Sequence, residues 1–198
     1  MLKGERVMKK TLYLMRHGQT LFNLRRKIQG SCDSPLTELG REQAKVAGEF
    51  LKDIKFDNYY SSTSERSCDT LEIVTDYKVK YTRLKGLKEM DFGVFEGESE
   101  DLNPKTPGGY ATFFKAYGGE TQEEVKQRLK NTCIEIMEKE DNQIVLAVSH
   151  AGACYHFLRN WHDDELVTTE LKKGFPNCCI FKYEYENKVF NLVEVIRF

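Results

Sequence analysis

A three-layer α/β/α sandwich, built on a mostly parallel but mixed sheet, is the fold class this chain predicts. Three observations carry the prediction. Short apolar runs at 11–15 and 144–148 have the form of strands buried on both faces. Stretches with helical spacing of apolar residues alternate with the strand-like runs, and that alternation implies helices on both faces of one sheet. The segments 178–185 and 189–197 read as a hairpin turning at Glu186-Asn187-Lys188, which makes the sheet mixed.

The elements follow in order. Thr37 is placed to cap a helix whose apolar residues Leu39, Ala44, Ala47, Phe50 and Leu51 recur at roughly helical spacing. A strand is expected over 56–61, a helix from about 64 to 75, and a strand over 79–83. Thr121-Gln122-Glu123-Glu124 has the form of a capping box, and Val125, Leu129, Cys133, Ile136 and Met137 form the buried stripe of a long helix. The run 144–148 ends at Ser149-His150, and a short helix is expected near 155–161. The stretch 98–119 breaks the alternation. It holds Pro104, Pro107, paired glycines at 108–109 and 118–119, and Tyr110, Phe113, Phe114 and Tyr117. It reads as an excursion over the ligand-binding end of the sheet, a lid and specificity element. A surface loop packing its own aromatics is the alternative.

The length of 198 residues suits one domain over 1–198 with a substantial core. A formal net charge of −1 provides no global field to favour nucleic acid or an anionic membrane. No apolar run approaches the roughly 18–20 residues of a membrane span, and the polar start is no signal peptide, with Met8 an alternative first residue. Cys32, Cys68, Cys133, Cys154, Cys178 and Cys179 form no C-x-x-C pair, so reduced thiols in a cytoplasmic protein are expected.

The first strand runs into Arg16-His17-Gly18, which puts an imidazole and a guanidinium where open α/β sheets bind ligands. The motif continues as Gln19-Thr20-Leu21-Phe22-Asn23, then Gln29-Gly30, then Asp33-Ser34-Pro35-Leu36-Thr37-Glu38-Leu39-Gly40. Further on stand Ser61-Ser62 with Arg66, then Glu89, Gly93 and Glu96-Gly97, and finally Ser149-His150-Ala151-Gly152. In this order the motifs resemble the histidine phosphatase superfamily, also called phosphoglycerate-mutase-like, over nearly the whole chain from about Thr11.

That resemblance implies phosphoryl transfer through a phosphohistidine on His17, with a backbone carbonyl fixing the tautomer of its other nitrogen. It implies that His150 binds the transferring group and that Glu89 protonates the leaving oxygen and later activates water. Asp91 and Glu96 are alternative acids in the same segment. Asn23, Gln29 and Gly30 match positions lining the family's phosphate pocket. The N–H of Gly152 stands where a helix begins and is a further candidate anion donor.

The chemistry of the residues agrees. The transfer requires an in-line nucleophile, positive charge at the phosphoryl oxygens and a proton for the leaving group. No carboxylate cluster or His-x-x-His spacing suggests a metal cage, so neither metal nor cofactor is expected, and Arg16 and Arg66 are suited to bidentate phosphate contact. Neighbouring cations keep His17 neutral and nucleophilic, but they also favour ionised Glu89, so its proton is expected only once a phosphate dianion arrives. His156 and His162 lack comparable placement.

The predicted activity is hydrolysis of a small-molecule phosphomonoester. Phosphoglycerate mutases of this superfamily carry a basic lid and an acid segment typically reading Glu-Arg-His-Tyr-Gly. Here the segment is Glu89-Met90-Asp91-Phe92-Gly93, and the excursion sets Lys105 and Lys115 against Glu98, Glu100 and Asp101. A phosphatase is therefore favoured over a mutase. A non-catalytic phosphate-binding module is the reading from another class.

Overall fold

The computed structural model describes residues 9–106 and 108–198, so the alternative start at Met8 and Pro107 lie outside the described residues. One six-stranded sheet organises them. Its strands are β1 (Lys10–Arg16), β2 (Asn58–Ser62), β3 (Thr82–Leu84), β4 (Ile144–Ser149), β5 (Ile180–Glu186) and β6 (Val189–Ile196), in the spatial order β3-β2-β4-β1-β5-β6. The first four run parallel, and β5 and β6 are antiparallel to their neighbours. The helices are α1 (Leu21–Leu24), α2 (Glu38–Leu51), α3 (Glu65–Val74), α4 (Gln122–Met137), α5 (Ala151–Leu158) and α6 (Asp164–Lys172). None of them is long and apolar enough to cross a membrane.

Alternate side chains of one strand point to opposite faces, and the core divides accordingly. Leu12 and Leu14 of β1, with Val145 and Ala147 of β4, pack against Val125, Leu129, Cys133 and Ile136 of α4 and Phe157 of α5. Tyr13 and Met15, with Leu146 and Val148, pack against Ala44, Ala47 and Leu51 of α2 and Leu71 of α3. Two helical layers thus enclose the sheet. Thr37 caps α2 by accepting from the Gly40 N–H, and Thr121 and Glu124 form the anticipated capping box of α4.

Several boundaries differ from expectation. Asp76 and Tyr77 take left-handed φ values of 51° and 56°, and the chain reaches the side of β2 only at Thr82, so β3 begins later than anticipated. Helix α5 starts immediately after His150, earlier than the expected 155, and Gly152 stands in its first turn, where the sequence also marks a helix start. Helix α6 was unanticipated. Asp163 caps it by accepting from the Leu166 N–H, and only Val167 among its residues is fully buried, too thin an apolar stripe to read.

The excursion is docked on the body by Phe114, which has no exposed surface and joins the core of Leu12 and Leu14. Phe92, Phe95, Tyr110 and Phe113 surround it, with ring centroids 4.9, 5.6, 5.3 and 5.1 Å away. Truncating a buried phenylalanine removes apolar area and leaves a cavity. Phe114→Ala is therefore expected to lower unfolding stability by about 3–5 kcal/mol in urea titration. An unchanged midpoint would show that this ring anchors nothing.

Candidate active site

The site begins with strand register. Arg16 of β1 lies opposite Ser149 of β4, and the His17 N–H donates to the Ser149 carbonyl at 3.1 Å. His17 and His150 therefore leave adjacent parallel strands at the same level, with ring centroids 5.2 Å apart. His17 Nδ1 lies 2.7 Å from the Gly18 carbonyl oxygen. A carbonyl only accepts, so Nδ1 carries the proton and Nε2 keeps its lone pair. Gly18 is required by close approach: a Cβ there would stand 2.5 Å from the Gly40 carbonyl oxygen at the start of α2.

Both imidazoles are buried. Burial first, then the charges of Arg66 and Arg16, hold the pKa of His17 well below the usual imidazole value. Burial and Arg66 depress His150 in the same way. His150 Nε2 lies 2.8 Å from the Ser62 hydroxyl, at the end of the neighbouring strand, and its Nδ1 is buried without a partner.

Arg16 donates through Nη1 to the Phe175 carbonyl at 2.5 Å, while its buried Nε is unpartnered. Arg66 opens α3 with a fully buried side chain. Its Nη1 donates to the Cys32 carbonyl and Asp33 Oδ1, both at 2.9 Å, and its Nη2 donates to the Gly30 carbonyl at 2.9 Å. These contacts leave the N–H on Nε and one on Nη2, so most of the guanidinium holds the 30–33 loop. Asn23 accepts through Oδ1 from the Thr20 N–H at 3.1 Å and from Asn177 Nδ2 at 3.3 Å, which fixes the amide orientation and leaves Nδ2 as a donor.

Three expected anion donors are otherwise engaged. The Gly30 N–H donates to Glu96 Oε2 at 3.0 Å, beside the N–H groups of Ser31 and Cys32, so a carboxylate of the chain itself fills this nest. Gln29 accepts from the Thr20 hydroxyl at 2.7 Å and donates to Ser34 Oγ at 3.2 Å, which commits both ends of its amide. The Gly152 N–H donates to Glu89 Oε2 at 2.9 Å. A Cβ at Gly152 would fall 2.6 Å from Glu89 Oε1, so glycine is what lets the acid reach the start of α5.

Glu89 is buried, and its Oε1 also accepts from the Met90 N–H at 2.9 Å. Burial raises its pKa against the opposing pull of those N–H groups, Arg66 and Arg128. The nearby arginines are not the largest influence: burial outweighs them and moves the carboxyl toward its protonated form. Asp91 and Glu96 bind backbone and Ser31, with Asp91 accepting from the Gly93 N–H and the Ser31 hydroxyl and Glu96 accepting from four N–H groups. Tyr110 of the excursion feels the charges of Glu100 and Glu89, and burial pushes its phenol up to about 12.

Comparison with known proteins identifies the family and the fold. A family model described as the histidine phosphatase superfamily (branch 1) matches residues 12–196. The chain is 31% identical over 183 residues to the Bacillus subtilis protein named uncharacterized phosphatase PhoE, with 90% of each chain covered. It is 31% identical over 192 residues to the probable phosphoglycerate mutase GpmB of Proteus mirabilis, covering 89% of this chain and 85% of that one. A solved phosphoglycerate mutase from Bacillus anthracis superposes with a TM-score of 0.83 at 29% identity, covering 96% of this chain and 93% of the other. The chain belongs to the histidine phosphatase superfamily, and its fold is phosphoglycerate-mutase-like.

Three buried imidazoles give a pH signature. His17 and His150 are held well below the usual value, and His156 is lowered by burial to about 4. Below about pH 6.5 the unfolded chain protonates these groups and the folded one does not, so stability falls on acidification. Glu89 and Asp69, whose carboxyls burial pushes up, oppose this, since the folded state keeps their protons to higher pH, but two carboxyls stand against three imidazoles. Urea midpoints are expected to drop from about pH 7 to about pH 5, by up to about 1.4 kcal/mol per pH unit for each proton taken up. A flat profile would mean that these histidines are charged in the fold.

Proposed function

We propose that this protein is a phosphomonoester phosphatase that works through a phosphohistidine on His17, with Glu89 as proton donor. The observation that carries the reading is the Nδ1 contact of His17 to the Gly18 carbonyl at 2.7 Å. It leaves the lone pair on Nε2 of a buried ring that packs edge-on to His150 at 5.2 Å and feels the charges of Arg66 and Arg16.

In the first step Nε2 attacks phosphorus in line with the ester oxygen, the P–O bond breaks, and the Glu89 carboxyl proton passes to the departing alkoxide. In the second step Glu89, now ionised, takes a proton from water as that oxygen attacks phosphorus. The P–N bond breaks, and orthophosphate and neutral His17 result. The phosphoryl oxygens are met by the remaining N–H groups of Arg16 and Arg66 and by Asn23 Nδ2. The Ser62 hydroxyl lies against His150 Nε2, and the tautomer with its proton on the unpartnered Nδ1 makes the ring a neutral donor to the same group. These donors supply the charge stabilisation, so no metal is required. The excursion serves this site as a specificity element, and its Tyr110 feels the charge of the acid.

Relatives named as a phosphatase and as a mutase both match this chain at 31% identity, and the charge of the excursion supports the phosphatase reading. Lys115 is paired with Glu124 at 2.5 Å, and Asp101 lies 3.2 Å from Arg26. A second phosphate would meet little positive charge there, and release of the dephosphorylated product is favoured over its reorientation.

Phosphate release is expected from a panel of phosphomonoesters in EDTA, with inhibition by vanadate, whose trigonal-bipyramidal form resembles the transition state. Activity lost in EDTA and restored by Mg²⁺ or Zn²⁺ would contradict the arginine-based stabilisation. Glu89→Gln keeps the shape but holds no transferable proton. It is expected to slow phosphorylation by an alkyl phosphate about 10²–10⁴-fold, and by an activated aryl phosphate far less, in rapid-quench measurements. Equal slowing by both esters would remove Glu89 from the acid role.

A further inference from the structure

The segment that carries Glu89 has no regular structure to hold it. It lies between two single 3-10 turns, Lys85–Leu87 and Gly93–Phe95, and the carbonyls that lead up to and include Glu89 are held largely by one side chain of α4. Arg128 donates through Nη1 to the carbonyls of Gly86 and Lys88 at 3.0 and 2.9 Å, and through Nη2 to the carbonyl of Glu89 itself at 3.2 Å. The same guanidinium makes a two-point contact with Glu120, Nε to Oε1 at 2.8 Å and Nη2 to Oε2 at 2.6 Å. Glu120 Oε2 also accepts from the Asp91 N–H at 3.0 Å, and the Glu120 N–H donates to the Asp91 carbonyl at 2.8 Å.

Together these contacts tie the backbone on both sides of Glu89 to α4. They also tie it to the stem of the excursion, because Glu120 directly follows Gly119. The two side chains are only 23% and 25% exposed, so solvent weakens the pair little. A lysine could not reproduce them, because a single ammonium lacks the planar fork that reaches three carbonyls and a carboxylate at once. Glu120 has a second effect. Arg128 acts to lower the pKa of Glu89, and the carboxylate beside it offsets that charge without touching Glu89.

We propose that Arg128 and Glu120 are positioning residues for the proton donor, holding the backbone of Glu89 so that its carboxyl meets the leaving oxygen. The inference rests on the reading of Glu89 as the acid. Neither residue is placed at the phosphoryl group, so its loss should injure proton donation and spare attack by His17.

The test compares Arg128→Lys and Glu120→Gln with Glu89→Gln in single-turnover phosphorylation by glycerol 2-phosphate and by 4-nitrophenyl phosphate. Arg128→Lys is expected to slow the alkyl ester by about 10-fold or more and the aryl ester by less than about 3-fold, in the pattern of an impaired general acid. Added to Glu89→Gln it should slow the alkyl ester no further, because the two changes then act on one function. Glu120→Gln should show a milder form of the same ester preference and move the basic limb of the pH profile to lower pH, since it uncovers the charge of Arg128. Equal slowing of both esters by Arg128→Lys, or additive slowing in the double variant, would overturn the proposal while leaving the acid in place. If Arg128→Lys and Glu120→Gln both fail to fold, the pair is a folding element and the proposal falls. If Glu89→Gln itself shows no ester preference, the acid assignment fails and takes this inference with it.

Discussion

The parallel pairing of β1 with β4 is the constraint on which the site depends. Residues 11–16 lie opposite 144–149 in unbroken register, and the two histidines emerge together only because of it. The register is enforced away from the chemistry. A slip of one residue would turn Leu12 and Leu14 toward α2, and Tyr13 and Met15 toward α4, exchanging the contents of two cores that contain different helices. The spacing of His17 and His150 is therefore a consequence of hydrophobic packing on both sheet faces.

Charge is handled by the loops. Arg66 holds the carbonyls of Gly30 and Cys32 while Glu96 holds the N–H groups of Gly30, Ser31 and Cys32, so opposite charges grip one loop along the two directions of its peptide dipoles. The buried guanidinium thereby spends three of its five N–H groups on the loop, without an ion pair to the acid. Its remaining field, added to burial, keeps His17 neutral. Glu89 is governed by burial more than by that field, so the desolvation that holds His17 toward its neutral form also pushes the Glu89 carboxyl toward the form that gives up a proton.

Most of this was legible before the structure. The buried strands, the caps at Thr37 and Thr121, the hairpin and the motif residues His17, Arg16, Arg66, Glu89 and His150 follow from pattern and resemblance. What escaped was decided by contacts between distant loops. Whether Gly30 and Gly152 face a ligand or a carboxylate depends on where Glu96 and Glu89 fold back, and no local spacing records that. Asn177, which donates to the His17 carbonyl and to Asn23, sits in an irregular turn before β5. Arg128 carries no local signal of its contacts, because its partners are mainly backbone carbonyls some forty residues earlier in the chain.

The most direct measurement is to mix the protein with a phosphomonoester, quench within the first turnover into alkaline denaturant, and map the phosphoryl group by mass spectrometry and ³¹P NMR. One phosphoryl group on Nε2 of His17, formed faster than orthophosphate is released and absent in His17→Ala, is the predicted result. Orthophosphate release with no labelled enzyme, or a label that persists in His17→Ala, would contradict covalent catalysis by this histidine.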